Sequence, residues 1–485
     1  MTVNDLIINL NTILHLVILW VWACALLLVD LFIPQNRKSL TAILAALGLV
    51  VPLFFALAQT GVSLTSFGGM IAVDGFAVFL NVLFLGSGLV GIALAYDYLQ
   101  RMGLQRGEFY VLLMFSISGM ILMAHAADLI IVFLALELLS IPLYVLAGFA
   151  RPRQESEEAS LKYFLLGAYS TGFVVYGVAL VFGATATTSL AGIIAAIAAP
   201  GANLTLLLIG GALILIGLGF KVAAVPFHMW TPDVYHGAPS AVTAFMAVGA
   251  KAGGFAAMLR VFVMAFPALA VDLTPIFWAL AALTMILGNV AAIAQNNIKR
   301  LLAYSSIAHA GYILMALVPF GQGQVSANAV ASALFYLVAY AFTNFAAWAV
   351  VIALEKAEGV GLALEDYAGL GRKYPLLAAA MAVAMLSFTG VPPTLGFVGK
   401  FYLFRTVLEG GFVGLALIGV LTSLVSAYYY LRVVVIMYMR DGEPEARREP
   451  WLYLTASVTA LGIVVLSIFS APLFSWASQA VLQIF

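Results

Sequence analysis

The sequence contains very little charge. Only 9% of its 485 residues are Asp, Glu, Lys or Arg, whereas a soluble globular domain has about 25%. Hydrophobic residues make up 64% of the chain. They form long uninterrupted runs rather than the ~10-residue alternating segments of a transmembrane barrel. These properties exclude a soluble protein and predict an all-α polytopic membrane protein.

Cysteine is almost absent, and neither sign of charge dominates. The single cysteine, Cys24, excludes a disulfide or a cysteine-ligated cluster within the chain. The 21 basic and 21 acidic residues balance, so nothing favours a nucleic-acid partner. The sequence also lacks a metal-binding histidine pair, a phosphate loop, a dinucleotide fingerprint and a nucleophile triad. We therefore expect no cofactor or metal in this chain, and any transport must be driven by a gradient or a partner.

Fourteen apolar segments predict fourteen transmembrane helices. They lie at 10–33, 40–58, 76–96, 109–124, 129–149, 159–183, 204–225, 238–266, 273–295, 299–318, 325–355, 375–408 (interrupted), 414–438 and 451–474. The longest polar stretches are about 356–374 and 440–450, so we expect no soluble domain. The N-terminus has no basic region or cleavage site, so helix 1 is expected to be retained.

Basic residues collect in alternate loops, which predicts the orientation. Short cytoplasmic loops are rich in Lys and Arg. Such residues follow predicted helices 1, 3, 5, 9, 11 and 13: Arg37, Lys38, Arg101, Arg106, Arg151, Arg153, Lys299, Arg300, Lys356, Arg372, Lys373, Arg440, Arg447 and Arg448. The opposite side has only Arg405 and Arg260 as exceptions. Both termini are therefore predicted to lie outside the cytoplasm.

Two apolar segments are interrupted by Gly and Pro and carry a lysine. In helix 7, Gly217 and Gly219 precede Lys221 and Pro226 follows it, and in helix 12 a Pro-Pro pair precedes Lys400. The two lie five helices apart, as an inverted repeat of helices 4–8 and 9–13 requires, and paired broken helices indicate an ion path. The predicted organisation is one membrane domain, 1–485. Its parts are helices 1–3 (1–107), a first repeat (108–266), a second repeat (267–440) and helix 14 (441–485).

Five ionisable side chains fall within the apolar segments: Glu137, Lys162, Lys221, Lys251 and Lys400. Such a residue at the centre of a membrane helix costs roughly 2.5–3.5 kcal/mol and usually has a function. Glu137 lies nine residues past Asp128, which is near the middle of a ~30 Å core at ~1.5 Å per residue. Lys251 is also near the middle of its helix. These positions favour titrating groups over a purely structural ion pair.

The remaining ionisable residues have competing interpretations. Lys221 and Lys400 lie near helix breaks, although a long lysine could also extend to the interface. Lys162 is only a few residues into helix 6, where such extension is an equal alternative. Lys299 next to Arg300 is interpreted as a topology anchor. His228 and His309 could relay protons or simply form packing hydrogen bonds.

The energies suit a proton path. Burial disfavours the charged form of a lysine, and a nearby carboxylate favours it. The difference is on the order of 4–5 kcal/mol, and moving one charge against 100 mV requires about 2.3 kcal/mol. A carboxylate that approaches and leaves a buried lysine therefore switches an energy of the right size.

Long sequence blocks resemble one family. GFKVAAVPFHMWTPDVYHGAPSAVT at 219–243 and NIKRLLAYSSIAHAGY at 297–312 are similar to blocks of the antiporter-like subunits of respiratory complex I. GVPPTLGFVGKFYLF at 390–404 is most similar to the N-type branch, since M-type subunits usually have a glutamate at the position of Lys400. L-type subunits usually continue into a long lateral helix. The resemblance covers nearly the whole chain.

The resemblance implies two half-channels joined by a polar axis. Glu137 would pair with Lys221, Lys251 would connect the halves, Lys400 would serve the exit half, and Lys162 would mediate between Glu137 and Lys221. It also implies a bacterial inner-membrane complex with FMN, iron–sulfur clusters and quinone in other subunits. The implied partners are subunit M, the small subunits K and J, the A/H side, the lateral helix of subunit L, and membrane lipid.

Two alternatives remain open at this point. A cation/proton antiporter subunit, or a membrane hydrogenase subunit, would share the architecture, although the Pro-Pro-Thr block before Lys400 disfavours it. A structural spacer that moves no ions would gain nothing from five buried ionisable groups.

Overall fold

The computed structural model describes residues 3–199, 203–356 and 359–480, and most of them are helical. The helices are α1 (Val3–Asp30), α2 (Ser39–Ala58), α3 (Gly75–Arg101), α4 (Glu108–His125), α5 (Leu129–Ala147), α6 (Gln154–Thr185), α7 (Leu190–Ala198), α8 (Leu204–Val222), α9 (Trp230–Gly237), α10 (Ser240–Met258), α11 (Ala270–Ile293), α12 (Ile298–Leu314), α13 (Gln324–Leu354), α14 (Leu370–Lys373), α15 (Pro375–Thr389), α16 (Leu395–Glu409), α17 (Val413–Met439), α18 (Pro450–Ile468) and α19 (Ser470–Gln479). A π-helical segment, Leu259–Ala265, extends α10. Strands β1 (Leu64–Ser66) and β2 (Ile71–Val73) form an antiparallel hairpin.

The described part of the chain is a polytopic membrane protein. It has 12 helices that are long and apolar enough to cross a membrane. Large apolar side chains cover its outside, for example Phe32, Val271 and Leu424, which are 86%, 85% and 71% exposed. Such a surface is stable only against lipid or partner chains. Helix α12, with 17 residues, and the pair α15 and α16, with 15 each, are shorter than these spans.

Helix starts follow from polar caps. The Asp74 carboxylate accepts from the backbone N–H of Ala77 at the start of α3, and Asp128 accepts from Ile130 at the start of α5. The Asn297 side chain accepts from the backbone N–H groups of Lys299 and Arg300 at the start of α12. Each cap satisfies donors that have no partner inside the helix.

Two helix breaks occur in the regions that the sequence predicted. Helix α8 ends at Val222, with Ala223 at φ 62°, and α9 begins at Trp230. Helix α15 ends at Thr389, with Gly390 at φ 89°, and α16 begins at Leu395. Broken helices at these two places are therefore observed.

Two details refine the predicted segments. The first break was expected around Lys221, between Gly217 and Pro226; it begins after Val222, so Gly217 and Gly219 lie inside α8. A Cβ on Gly217 would meet Cγ2 of Val174 at 2.1 Å, so this glycine allows α6 and α8 to pack closely. The segment 451–474 is divided at Phe469 between α18 and α19.

Helices α10 and α13 form the centre of the protein. Every residue of α10 is buried, and so are most residues of α13. Helix α10 packs on α3, α4, α8 and α13, and α13 packs on α15, α16 and α18. A polar side chain on either helix is therefore far from lipid and must find its partners inside the protein.

Candidate functional site

Three of the predicted lysines are buried inside the protein. Lys221, on the last turn of α8, is 4% exposed, and Lys251, on α10, and Lys400, on α16, are each 3% exposed. Within the described residues, none of these three ammonium groups forms an ion pair with a carboxylate. Each is instead held by neutral oxygen atoms, which is an unusual environment for a buried charge.

Lys221 is bound by two hydroxyl groups. Its Nζ donates to Oγ of Ser140 at 2.8 Å and to the hydroxyl of Tyr163 at 3.0 Å. It also lies 5.1 Å from the centroid of the Tyr163 ring and 5.6 Å from that of Tyr144. The ammonium group is therefore held by groups from α5 and α6.

Glu137 is near Lys221 but does not contact it. Its carboxylate accepts from Oγ1 of Thr171 at 2.7 Å and is half-buried. Glu137 and Ser140 are three residues apart on α5, which puts them on neighbouring positions of one helix face. Glu137 and Lys221 therefore do not form the predicted ion pair by direct contact. The ammonium group of Lys221 is instead bound by Ser140.

Lys251 is bound to a backbone carbonyl. Its Nζ donates to the carbonyl oxygen of Ser306 on α12 at 2.5 Å. The Ser306 hydroxyl accepts from the Tyr340 hydroxyl at 2.9 Å and lies 3.5 Å from the hydroxyl of Tyr235. Ser306 therefore joins Lys251 to tyrosines of α13 and α9.

His309 lies between two tyrosines. Its Nδ1 is 2.7 Å from the Tyr336 hydroxyl, and its Nε2 is 3.1 Å from the Tyr430 hydroxyl. It is within electrostatic range of both Lys251 and Lys400. This position is the one that a proton relay requires, because an imidazole can accept at one nitrogen and donate from the other.

Lys400 is bound at the break between α15 and α16. Its Nζ donates to the carbonyl oxygens of Phe388 and Thr389 at 2.8 and 3.0 Å, and to Oγ of Ser423 at 2.7 Å. It also lies 4.6 Å from the centroid of the Tyr312 ring. Because α15 stops at Thr389, these carbonyls have no partner within the helix, and Lys400 satisfies them.

Lys162 lies at the rim of this region. Its side chain is 41% exposed and pairs with Glu158 at 2.6 Å and Asp233 at 2.7 Å. Asp233 also accepts from Arg300 at 3.1 Å. Burial raises the pKa of Asp233, but its hydrogen bonds to Lys162 and Arg300 outweigh burial and hold that pKa below its usual value. The structure does not bring Lys162 into contact with Lys221, although the next residue along the chain, Tyr163, binds it.

His228 lies in a turn, as the sequence predicted, and Lys299 is buried. His228 is half-buried in the loop between α8 and α9, where burial lowers its pKa, and no hydrogen bond of the described residues joins it to the buried lysines. Lys299, which was interpreted as a topology anchor, is not exposed. Its side chain is fully buried and donates to the carbonyl oxygen of Ala238 at 2.7 Å.

Sequence reasoning missed the hydroxyl groups that bind the charged residues. Ser140, Tyr163, Tyr340, Tyr336 and Tyr430 look like ordinary helix residues when the sequence is read alone. One signal was present, since several tyrosines lie in apolar segments, where a phenol must find a partner for its hydroxyl. Ammonium, imidazole and hydroxyl groups can all exchange protons, so the arrangement is chemically capable of proton transfer.

Comparisons with known proteins agree with this structure. Residues 126–426 match the family described as "NADH:quinone oxidoreductase/Mrp antiporter, TM". The NADH-quinone oxidoreductase subunit N of Trichlorobacter lovleyi is 48% identical over 98% of this chain and 97% of its own. The subunit N of Chloroflexus aggregans is 47% identical over the same shares of the two chains.

Solved structures give the same result. A chain of respiratory complex I from Thermus thermophilus with bound aureothin matches with a TM-score of 0.81 at 38% identity, over 96% of this chain and 99% of that one. A chain of the Mrp complex from Dietzia sp. DQ12-45-1b matches with a TM-score of 0.86 at 20% identity, over 99% of this chain and 97% of that one, which shows a shared fold. From the sequence relatives and these structures together, we conclude that the chain belongs to the subunit N family of NADH-quinone oxidoreductase.

Proposed function

We propose that this chain translocates protons in the membrane part of an NADH-quinone oxidoreductase, driven by electron transfer in other subunits. The observation that carries the proposal is the set of three buried ammonium groups, Lys221, Lys251 and Lys400, each bound only to neutral oxygens. Burying a charge without a carboxylate partner is costly. Such groups are useful where they gain and lose a proton.

The proposed architecture has fourteen membrane helices. The 12 long apolar spans are joined by α12 and by the interrupted pair α15 and α16. Both termini face away from the cytoplasm. The repeats would be 108–266 and 267–440, after three helices in 1–107 and before helix 14 in 441–485. A lysine at each of the two breaks supports this repeat.

The proposed path runs through the lysines in order along the protein. Glu137 would approach Lys221 in one state and return to Thr171 in another, which changes the affinity of Lys221 for its proton. Lys251 and His309 would pass protons towards Lys400. Lys162 would link Asp233 to Tyr163 in this path, and His228 would relay protons on the cytoplasmic side.

The proposed surroundings follow from the family. We place the chain in a bacterial inner membrane, beside subunit M, the small subunits K and J, the A/H side and the lateral helix of subunit L, with lipid on the remaining surface. FMN, iron–sulfur clusters and quinone would be bound by other subunits, and this chain would hold no cofactor. The exposed apolar surface of α6 and α17 is suited to such contacts.

The proposal is tested with Lys221→Ala in membranes from the native host. A native gel stained for NADH oxidation first shows whether the complex assembles, and proton uptake by vesicles is then measured. We expect normal assembly with reduced pumping and reduced coupled turnover. Lys373→Ala, at an exposed lysine that pairs with Glu443, is the matched control.

Two other outcomes would overturn the proposal. If the Lys221 variant yields less assembled complex but the complex that does assemble pumps normally, Lys221 has a structural role. If the wild-type chain migrates with small membrane proteins that do not oxidise NADH, it belongs to an antiporter, and sodium-dependent proton flux becomes the measurement to make.

A further inference from the structure

A second buried ionisable site lies at the end of α13. Glu355, the residue after Leu354, is 0% exposed. Within the described residues, neither oxygen of its carboxylate receives a hydrogen bond. The nearest cation is Arg153, whose Nη1 lies 4.0 Å from Oε1 of Glu355, which is too long for a hydrogen bond.

The charged and titratable groups around Glu355 come from four elements. Arg153 caps the start of α6, Lys299 lies on α12, Tyr98 on α3, and Tyr367 in the 3-10 turn before α14. Lys299, Tyr98 and Tyr367 are buried, and each is close enough to Glu355 to interact with its charge. The hydroxyl of Tyr367 also has no hydrogen-bond partner among the described residues.

A buried carboxylate without hydrogen bonds is costly as an anion. Taking up a proton removes most of this cost, and a nearby ammonium group reduces it. Glu355 has an ammonium nearby in Lys299, but the two do not form a direct ion pair. A proton taken up at this site can therefore be placed on the carboxylate or on the amine.

The site lies on the same side of α12 as the serine that binds Lys251. Lys299 donates to the carbonyl oxygen of Ala238, and three residues earlier the Tyr235 hydroxyl lies 3.5 Å from Oγ of Ser306. The carbonyl of Ser306 binds Lys251. Lys299 and Ser306 are seven residues apart on α12, about two turns or ~10 Å, so they lie on the same side of that helix.

The other side of the site reaches the protein surface. The Arg153 side chain is 27% exposed and pairs with the exposed Glu155 at 3.4 Å. Helices α6, α12 and α13 all have their adjoining ends here, on the cytoplasmic face in the orientation proposed above. Arg153 thus lies between the buried Glu355 and the exposed Glu155 at the protein surface.

We propose that Glu355 and Lys299 form the proton-uptake site that supplies Lys251. A hydronium ion protonates the Glu355 carboxylate and leaves water. The carboxylic acid then passes this proton to the neutral amine of Lys299, which restores the carboxylate and forms an ammonium group. Lys299 returns to the neutral amine when its proton moves on along α12 to Lys251. This inference rests on the proposed function, because it names where the translocated proton enters.

The test uses Glu355→Gln in the whole complex, reconstituted in proteoliposomes with NADH and a quinone. Glutamine keeps the size of the side chain but cannot carry the proton. We expect a several-fold loss of proton uptake and coupled turnover, which grows as pH rises and free protons become scarce. The matched control is Glu365→Gln, at an exposed carboxylate on the following turn that pairs with Arg440, and it should leave both unchanged.

Two further variants keep the proposal open to contradiction if the glutamine variant fails to assemble. Glu355→Asp retains a titratable group and should retain pumping with an altered pH profile. Lys299→Met should lose pumping, and adding Glu355→Gln to it should cause little further loss because both act in one step. An unchanged pH profile in the aspartate variant, or fully additive losses, would overturn the assignment.

The comparison with Lys251→Met separates this inference from the proposed function. If the Lys251 variant loses pumping and the Glu355 variant pumps normally, protons reach Lys251 by another route and only the uptake site is wrong. If neither variant affects pumping, the proposed function itself fails.

Discussion

Lys400 and Gly390 are in direct contact across the break between α15 and α16. A methyl group at Gly390 would lie 3.0 Å from Cδ of Lys400, and Gly390 has a φ of 89° that favours glycine. The break that frees the carbonyls of Phe388 and Thr389 thus also makes room for the lysine that binds them. The backbone break at Gly390 and the position of the Lys400 ammonium group therefore depend on each other.

Gly390→Ala is therefore expected to impair proton translocation although it changes no polar group. A left-handed alanine costs about 1–2 kcal/mol, and its Cβ would displace Lys400. The measurement is coupled turnover of the assembled complex. Gly172→Ala, at a helical glycine on α6 with nothing within 4 Å of its Cβ position, should behave like the wild type, and equal activity of the two variants would contradict this reading.

The sequence predicted both breaks and the burial of three lysines, because Gly, Pro and charge are unusual in apolar segments. Pro226 lies within the first break, whereas Gly217 and Gly219 lie inside α8, where Gly217 allows close packing on α6. A glycine in a membrane helix permits either role, and only the neighbouring helix decides which one applies.

The sequence could not reveal which side chains contact the buried ionisable residues. Tyr336 and Tyr430 sit in apolar helices and look like core aromatics, and their convergence on His309 depends on how α12, α13 and α17 pack. Lys299 and Glu355 were hidden for a different reason. Each is next to a basic residue at a helix end, which is also the pattern of an exposed topology signal.

The hydroxyls beside His309 supply the second prediction. Tyr336→Phe and Tyr430→Phe each remove one hydrogen bond to the imidazole, at a cost of about 1–3 kcal/mol for a buried group left unpaired. Both should slow proton transfer between Lys251 and Lys400 and lower coupled turnover. Tyr428→Phe, at a tyrosine that is 61% exposed, is the control, and if all three variants are alike, His309 is not on the path.

Glu137→Gln is the third prediction. The carboxylate does not touch Lys221, because Ser140 binds Lys221 and Thr171 binds Glu137. Since a nearby charge affects proton binding by an amine, removing the carboxylate should change the pH dependence of coupled turnover. Turnover of the assembled variant is measured across pH, and Glu157→Gln, at a carboxylate exposed near Arg151, provides the comparison. An unchanged pH profile of turnover would mean that Glu137 does not influence Lys221.

Asp233 gives the fourth prediction, which concerns stability. Its carboxylate binds Lys162 and Arg300 and so joins α6, α9 and α12. These groups are more than one-third exposed, and the pairs should contribute at most about 1 kcal/mol. Because the pKa of Asp233 is lowered, this contribution is present at neutral pH and is lost as pH falls through that pKa. Asp233→Asn should slightly lower the thermal stability of the complex at neutral pH, and Asp441→Asn, at a more exposed pair with Arg372, should not.

The most direct test of the account is the number of protons pumped per NADH by the complex with Lys251→Met. Methionine has a similar length but no charge, and Lys251 lies at the centre of the fully buried α10. The account predicts an assembled complex that still oxidises NADH, with a lower ratio of protons to NADH than the wild type and than a Lys373→Met control. A wild-type ratio in the Lys251 variant would contradict the claim that this chain moves protons through its buried lysines.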